Sequence, residues 1–402
     1  MSERARSRAL LLGAALASFL AAGLLQEAVL DGRRREERLD PLELEGEVSL
    51  QIFFAQKLSV VRPIVIDACW VLAEDSYRDR KWWELRSRYE DISKLQPYSQ
   101  DVWEYNAYNL VYNISAEMPT PGEQWPWIAQ GIEFAMEGAR INPESWRLPL
   151  LIAHFLDHKC DVQELFRSRA KEVFGEGRKS HFELAAEWKE RAIARPGHMA
   201  AVCGTLFQYT YPMAMAEALY EGDEAGYLDL VRRAKEVFAH ARSAHPVQSL
   251  DLDRDLPARG QVLARRGTQE LLSAHAMETY VPGLFERARR FYELAAAAWR
   301  AEGAAAPDSR EGRVARLEAE AAEALVRVSE LLGEARRLRA IPDPIGAGAR
   351  VAEAREEVES RFLYLWIPYA REIGPAGRPC QAFGSRFPGY LEDVYAEILA
   401  RP

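Results

Sequence analysis

Arg233-Ala234-Lys235-Glu236-Val237-Phe238 repeats, letter for letter, the earlier segment Arg169-Ala170-Lys171-Glu172-Val173-Phe174. The second copy runs on to Ala241 and Pro246, giving Ala-x3-Phe-x2-Ala-x4-Pro, and a related Ala288-x3-Tyr292-x2-Ala295 follows. Spacings of three and four place these side chains on one face of a helix. A small residue on that face lets a second helix come close, and the aromatic one turn later fills the gap beside it. Proline then closes the unit, because it cannot continue a helix.

The same punctuation extends along the chain. Pro97, Pro143, Pro196 and Pro246 are separated by 46, 53 and 50 residues. Each follows one helical segment and precedes the next: Leu95-Gln96-Pro97, Ile141-Asn142-Pro143, Ala194-Arg195-Pro196 and Ala244-His245-Pro246. From about residue 50 onward, apolar residues recur at helical spacing and long alternating β-branched runs are absent. The pattern predicts an all-α fold.

The Ala-x3-Phe helix with its later proline resembles the second helix of a tetratricopeptide repeat (TPR). Trp103-Glu104-Tyr105-Asn106-Ala107-Tyr108-Asn109-Leu110 resembles the first helix, with small Ala107 at the glycine position. Gly131, Ala135 and Gly138 precede Pro143 at matching offsets, with Ala135 in place of the aromatic. The period exceeds the roughly 34 residues of a regular repeat. The resemblance covers residues 64–302 and implies a TPR-like α-solenoid of helical hairpins over 51–302. It also implies a protein or peptide partner on a concave face, and no cofactor.

The Ala-rich stretch 295–307, with Gly303 and Pro307, marks a junction. Beyond it Val314, Leu317, Ala321, Ala324, Val328, Leu331, Ala335 and Leu338 alternate at three and four, a heptad seam. Ile341-Pro342-Asp343-Pro344 breaks that helix, and Val351, Ala354, Val358, Phe362 and Leu365 mark one face of another. Residues 308–402 are therefore expected to hold a long C-terminal helical hairpin and a tail. A homo-oligomeric coiled coil through residues 314–365 is the alternative use of the seam.

The N-terminus carries a different signal. A basic tail at 1–8, with Arg4, Arg6 and Arg8, precedes a hydrophobic helix expected over 9–30 and a linker over 31–50. The uncharged run Ala9–Leu25 would span about 26 Å as a helix, near the short limit for a bilayer. This predicts a single-pass membrane protein with an extracytoplasmic (periplasmic) body. A cleaved secretory signal is the alternative. Arg33, Arg34, Arg35 and Arg38 beyond the segment counter that orientation.

Composition narrows the function. Hydrophobic residues make up 48% and charged residues 28% of the 402, the balance of a chain with a sizeable core. The net charge is −9 although residues 1–38 alone hold seven Arg against five acids, so the body is acidic. No basic stripe is available for phosphates, which argues against a nucleic-acid partner. The four cysteines form no C-x-x-C pair, so neither a zinc ribbon nor a disulfide framework is expected.

Two constellations stand out. His154-Phe155-Leu156-Asp157-His158 puts imidazoles at i and i+4 on one face, enough for two metal ligands. A zincin would need Glu where Phe155 stands, and packing or capping is the plainer role for the pair. Seven of the ten tryptophans, Trp70, Trp82, Trp83, Trp103, Trp125, Trp127 and Trp146, lie between residues 70 and 146, interleaved with Tyr105, Tyr108 and Tyr112. Most such rings belong to a core. Trp82 and Trp83 cannot both face one core from a helix, so one is expected at an interface. The partner-binding candidates are Trp82, Trp83, Trp103, Tyr105, Tyr108, Trp125, Trp127 and Trp146.

No phosphate loop, dinucleotide motif or nucleophile elbow is present. The expectation is a membrane-tethered scaffold without catalysis. An all-α enzyme or binding protein acting on glycans through residues 70–146 is the alternative, suggested by the aromatics and by acidic pairs such as Glu74-Asp75 and Glu90-Asp91.

Overall fold

A computed structural model describes residues 62–373 except 178, 196–198, 245–257, 277–281 and 341–343, together with positions 13, 14, 17, 18 and 21. Those five positions apart, the expected N-terminal tail, hydrophobic segment and linker lie outside the described residues, as does the tail beyond Ile373. Every regular element among the described residues is helical. None of these helices is long and apolar enough to cross a membrane. The chain divides into two compact units, before and after the junction of Arg169 and Ala170.

In the first unit α1 (Arg62–Arg78) pairs with α2 (Trp82–Leu95). Helix α3 (Gln100–Tyr108) runs on as a π-helical segment, Asn109–Ile114, and packs against α4 (Pro121–Ile141). Helix α5 (Arg147–His154) likewise runs on as a π segment, Phe155–Lys159, and touches both α3 and α4. Cys69, Leu85, Tyr89, Ile92, Leu110 and Trp127 belong to the shared core. Helix α6 (Glu164–Val173) carries the chain across the division.

The proline breaks work as corners. The Pro97 carbonyl accepts hydrogen bonds from Trp103 Nε1 at 2.7 Å and from Asn142 Nδ2 at 2.9 Å. Ser145, two residues past Pro143, donates to Gln100 Oε1 at 2.8 Å and accepts from the Leu148 N–H at 3.2 Å. The corner before α3 and the corner before α5 are thereby tied to each other. Helix α4 starts on Thr120, whose hydroxyl accepts from the Glu123 N–H and donates to the Glu123 carboxylate, followed by Pro121 at the first helical position.

Close approach is achieved with small residues. A Cβ on Gly131 would meet Val111 Cγ2 at 2.4 Å and the Ala107 carbonyl at 2.9 Å. One on Gly138 would meet the Trp103 ring at 2.7 Å, and Ala135 between them is fully buried. Glycine is needed at both positions to seat α4 on α3.

The second unit comprises α7 (His181–Ile193), α8 (Met199–Thr205) with a third π segment (Leu206–Thr210), α9 (Tyr211–Glu221) and α10 (Glu224–Ala244). It continues with α11 (Arg259–Ala276), α12 (Pro282–Ala305), α13 (Arg310–Ala340) and α14 (Pro344–Ile373). Helices α9 and α10, and α11 and α12, pair, and α9 touches α11. The repeated hexapeptide behaves as its spacing requires: Ala170 and Ala234 are fully buried, and Phe238 is buried edge-on to Phe207 at 5.4 Å. Ala288 and Tyr292 are fully buried in α12. The heptad seam is used within the chain. Ala321, Ala324, Val328, Leu331 and Ala335 are buried on α13, which lies between α12 and α14. Ion pairs Arg300–Glu323 on one flank and Arg327–Glu353 on the other are each 2.8 Å.

The core of this unit holds four charges that the apolar pattern does not announce. Arg266 is fully buried, with Nε 2.9 Å from Glu217 and Nη2 2.8 Å from the equally buried Glu270. Arg287 reaches the same two carboxylates at 3.0 and 3.3 Å. The set sums to zero, and Phe182 and Tyr220 lie against the two guanidinium groups. Removing one partner would leave uncompensated charge in low dielectric.

Two measurements check this packing. Gly131→Ala should lower unfolding free energy in urea by about 1–3 kcal/mol through overpacking. Arg266→Met should cost about 3–5 kcal/mol, because it leaves Arg287 alone to compensate both Glu217 and Glu270; an unchanged melting temperature would refute the network's role.

Candidate functional site

The tryptophan and tyrosine candidates divide sharply by exposure. Trp103 and Trp127, named among the partner-binding candidates, are core residues, 5% and 4% exposed. The reason for Trp103 is geometric: its ring lies over Gly138 and 4.7 Å from Phe134, and its N–H is committed to Pro97. Trp82, Trp125 and Trp146 are half-buried. Trp82 meets Tyr77 at 5.7 Å and Trp125 stacks on Phe166 at 6.3 Å. Trp83, Tyr105 and Tyr108 stand exposed at 64%, 55% and 46%. Trp82 and Trp83 thus do part, one toward the core and one toward solvent. Trp83 covers the edge of Trp127 at 4.8 Å.

Tyr105 and Tyr108 open a strip that sequence reasoning did not assemble. Trp70 packs edge-on to Tyr105 at 5.6 Å, and Tyr108 lies 4.7 Å from Tyr112. Tyr112 in turn faces both histidines. Its hydroxyl lies 3.2 Å from His154 Nε2 and 2.9 Å from His158 Nδ1. The two imidazoles are exposed and stacked, with centroids 5.1 Å apart and planes inclined by 16°. Lys159 places its ammonium 5.4 Å from the Tyr112 ring centre. Burial pushes the Tyr112 phenol above its ordinary range and lowers the Lys159 ammonium. The strip therefore joins α3 and α5 through their π segments.

The π segments place these groups. They begin at Asn109, Phe155 and Leu206, 46 and 51 residues apart, in step with the proline breaks. The fourth residue of each is Tyr112, His158 and Tyr209, and the residue two before each is Ala107, Ala153 and Gly204. Tyr209 accepts a hydrogen bond from Gln269 on α11 at 2.7 Å, as Tyr112 bonds to α5. Small residue, wide π turn and polar ring thus recur once per period. That recurrence was present in the sequence, hidden because an unbroken helical register puts the ring on a different face. Single π turns are frequent at functional sites.

A groove of about 280 Å³ lies between α2, α3 and α4, floored by Trp103, Leu110 and Phe134. Of its three acids, Glu90, Glu133 and Glu137, the first and last are paired with Arg86 at 3.0 Å and Arg140 at 2.6 Å. Arg140 holds the Glu137 carboxyl below its usual range. Cys69, Cys160 and Cys203 are buried free thiols, and burial raises all three. Among the described residues no three His, Cys, Asp or Glu side chains converge to hold a metal ion.

Fold and site together define an all-helical protein of paired helices with an aromatic and imidazole strip on one of its units. No family model matches the chain, and no curated protein or solved structure matches it significantly.

The division of the tryptophans is directly measurable. Trp103→Ala should cost about 3–5 kcal/mol of stability, as for a large core ring. Trp83→Ala should stay within about 1 kcal/mol, as at most exposed positions. Equal losses in chemical denaturation would contradict the assignment.

Proposed function

We propose that the chain is a TPR-like scaffold, tethered to a membrane by its N-terminal hydrophobic segment, that binds a protein or peptide partner through the strip Tyr105–Tyr108–Tyr112–His154–His158. The observation that carries this reading is the concentration of exposed rings. Among the described residues the exposed large aromatics, Tyr77, Trp83, Tyr105 and Tyr108, all fall between residues 77 and 108. Tyrosine and tryptophan give large contact area for little conformational entropy and keep a polar handle, which suits them to anchor a partner. First helices that touch across hairpins, α3 with α5 and α9 with α11, support the repeat reading. So does the recurrence of small residue, π turn and polar ring.

The alternative of glycan chemistry finds less support. A glycosidase needs one carboxyl with a raised pKa as proton donor beside a second across a cleft; burial raises Asp91 and Glu104, but neither lines the apolar groove, whose Glu137 is lowered by Arg140.

Affinity capture with the full chain in native membranes tests the proposal. Tyr105→Ala/Tyr108→Ala should reduce retention of the captured partner at least about 10-fold, the effect of losing an anchor worth more than 1.4 kcal/mol. Retention unchanged by that pair would refute the strip as the binding face. Recovery of the untreated chain in the soluble fraction would refute the tether.

A further inference from the structure

The geometry points to a transition-metal site formed by His154 Nε2, His158 Nδ1 and Tyr112 Oη, taking a divalent ion of the Zn²⁺, Ni²⁺ or Cu²⁺ class. Three observations lead there. First, the two imidazoles come from one helical stretch at i and i+4, a spacing that presents two ring nitrogens to one ion. Second, both rings already aim a nitrogen at one point, the Tyr112 oxygen, at 3.2 and 2.9 Å. An ion held between the three atoms would close the nitrogen distances to about 2.0–2.1 Å. Third, both histidines are exposed, so the ion has an entry path from solvent.

The proton inventory is consistent. A phenol can donate its one hydrogen to only one ring nitrogen, so the other ring donates its N–H to the phenol oxygen. Coordination needs both facing nitrogens bare. As the ion enters, the phenol hydrogen turns outward to solvent and the proton on the other facing nitrogen is released to solvent, the far nitrogen of that ring taking one up. The Tyr112 oxygen supplies the third donor and water completes the coordination sphere. Lys159 lies by the Tyr112 ring, 5.4 Å from its centroid. Imidazole donors suit Zn²⁺, Ni²⁺ and Cu²⁺ and give Mg²⁺ and Ca²⁺ little.

The site shares Tyr112, His154 and His158 with the proposed binding strip but does not require a partner, and it is tested with metal alone. Full-length protein, stripped of metal, is titrated calorimetrically with Zn²⁺, Ni²⁺ and Mg²⁺. One equivalent of Zn²⁺ and of Ni²⁺ should bind, and Mg²⁺ should not compete. His158→Ala should weaken binding by at least about 10–100-fold, since even outer-sphere changes cost that much. His154→Ala/His158→Ala should abolish it while helical circular dichroism stays unchanged, because both side chains are exposed. Tyr112→Phe should weaken Zn²⁺ binding while preserving the one-to-one stoichiometry. Equal affinity in wild type and the double histidine variant would overturn the site, as would Mg²⁺ competition or the absence of bound Zn²⁺.

Discussion

The fold depends on how closely one helix can lie on another. Where a glycine or alanine faces a ring, two helix axes come within reach and the ring fills the space left beside the missing side chain. Gly138 beneath Trp103 does this in the first unit, and Gly260 beneath Trp299 and Gly267 beneath Tyr292 do it in the second. A methyl group on Gly260 would meet the Trp299 ring at 2.4 Å, so the contact has no slack. Apolar burial supplies most of the driving force, but these contacts fix the register in which it is realised.

The π turns follow from the same constraint. Helix α3 is seated at Ala107 against Gly131, its next turn is widened at Asn109–Ile114, and Tyr112 in that turn faces α5. Its hydroxyl then meets His154 and His158. Packing at the small residues thereby determines which polar groups line the strip. In the second unit the corresponding turn sends Tyr209 to Gln269. Buried Arg266, Glu217 and Glu270 with half-buried Arg287 form an ion-pair cluster there whose partners a shifted register would separate.

Much of the helical architecture was legible in the sequence. The copied hexapeptide placed Ala170, Ala234 and Phe238 on inward faces, and Pro97 and Pro143 marked true breaks. The heptad spacing from Val314 identified one long helix and its apolar face. What it did not reveal is that α13 is covered on two sides, by α12 as well as α14, because Ala315, Ala319 and Ala322 look like filler between charged residues. The buried Arg266 was equally illegible: nothing in its neighbours distinguishes it from the many surface arginines. Among the candidate rings Trp83, Tyr105 and Tyr108 are exposed, whereas Trp103 and Trp127 are buried. Trp103 and Trp127 read as binding residues by chemistry alone, yet glycine across from Trp103 draws it into the core. Tyr112 went unselected because its role depends on a π turn that ordinary helical periodicity does not express.

The claim that small residues set the register is tested most directly by a double-mutant cycle at Gly260 and Trp299. Gly260→Ala and Trp299→Leu should each destabilise the chain. Together they should cost less than their sum by about 1–3 kcal/mol, because leucine vacates the space the new methyl requires. Strict additivity, within about 0.5 kcal/mol, would contradict the account.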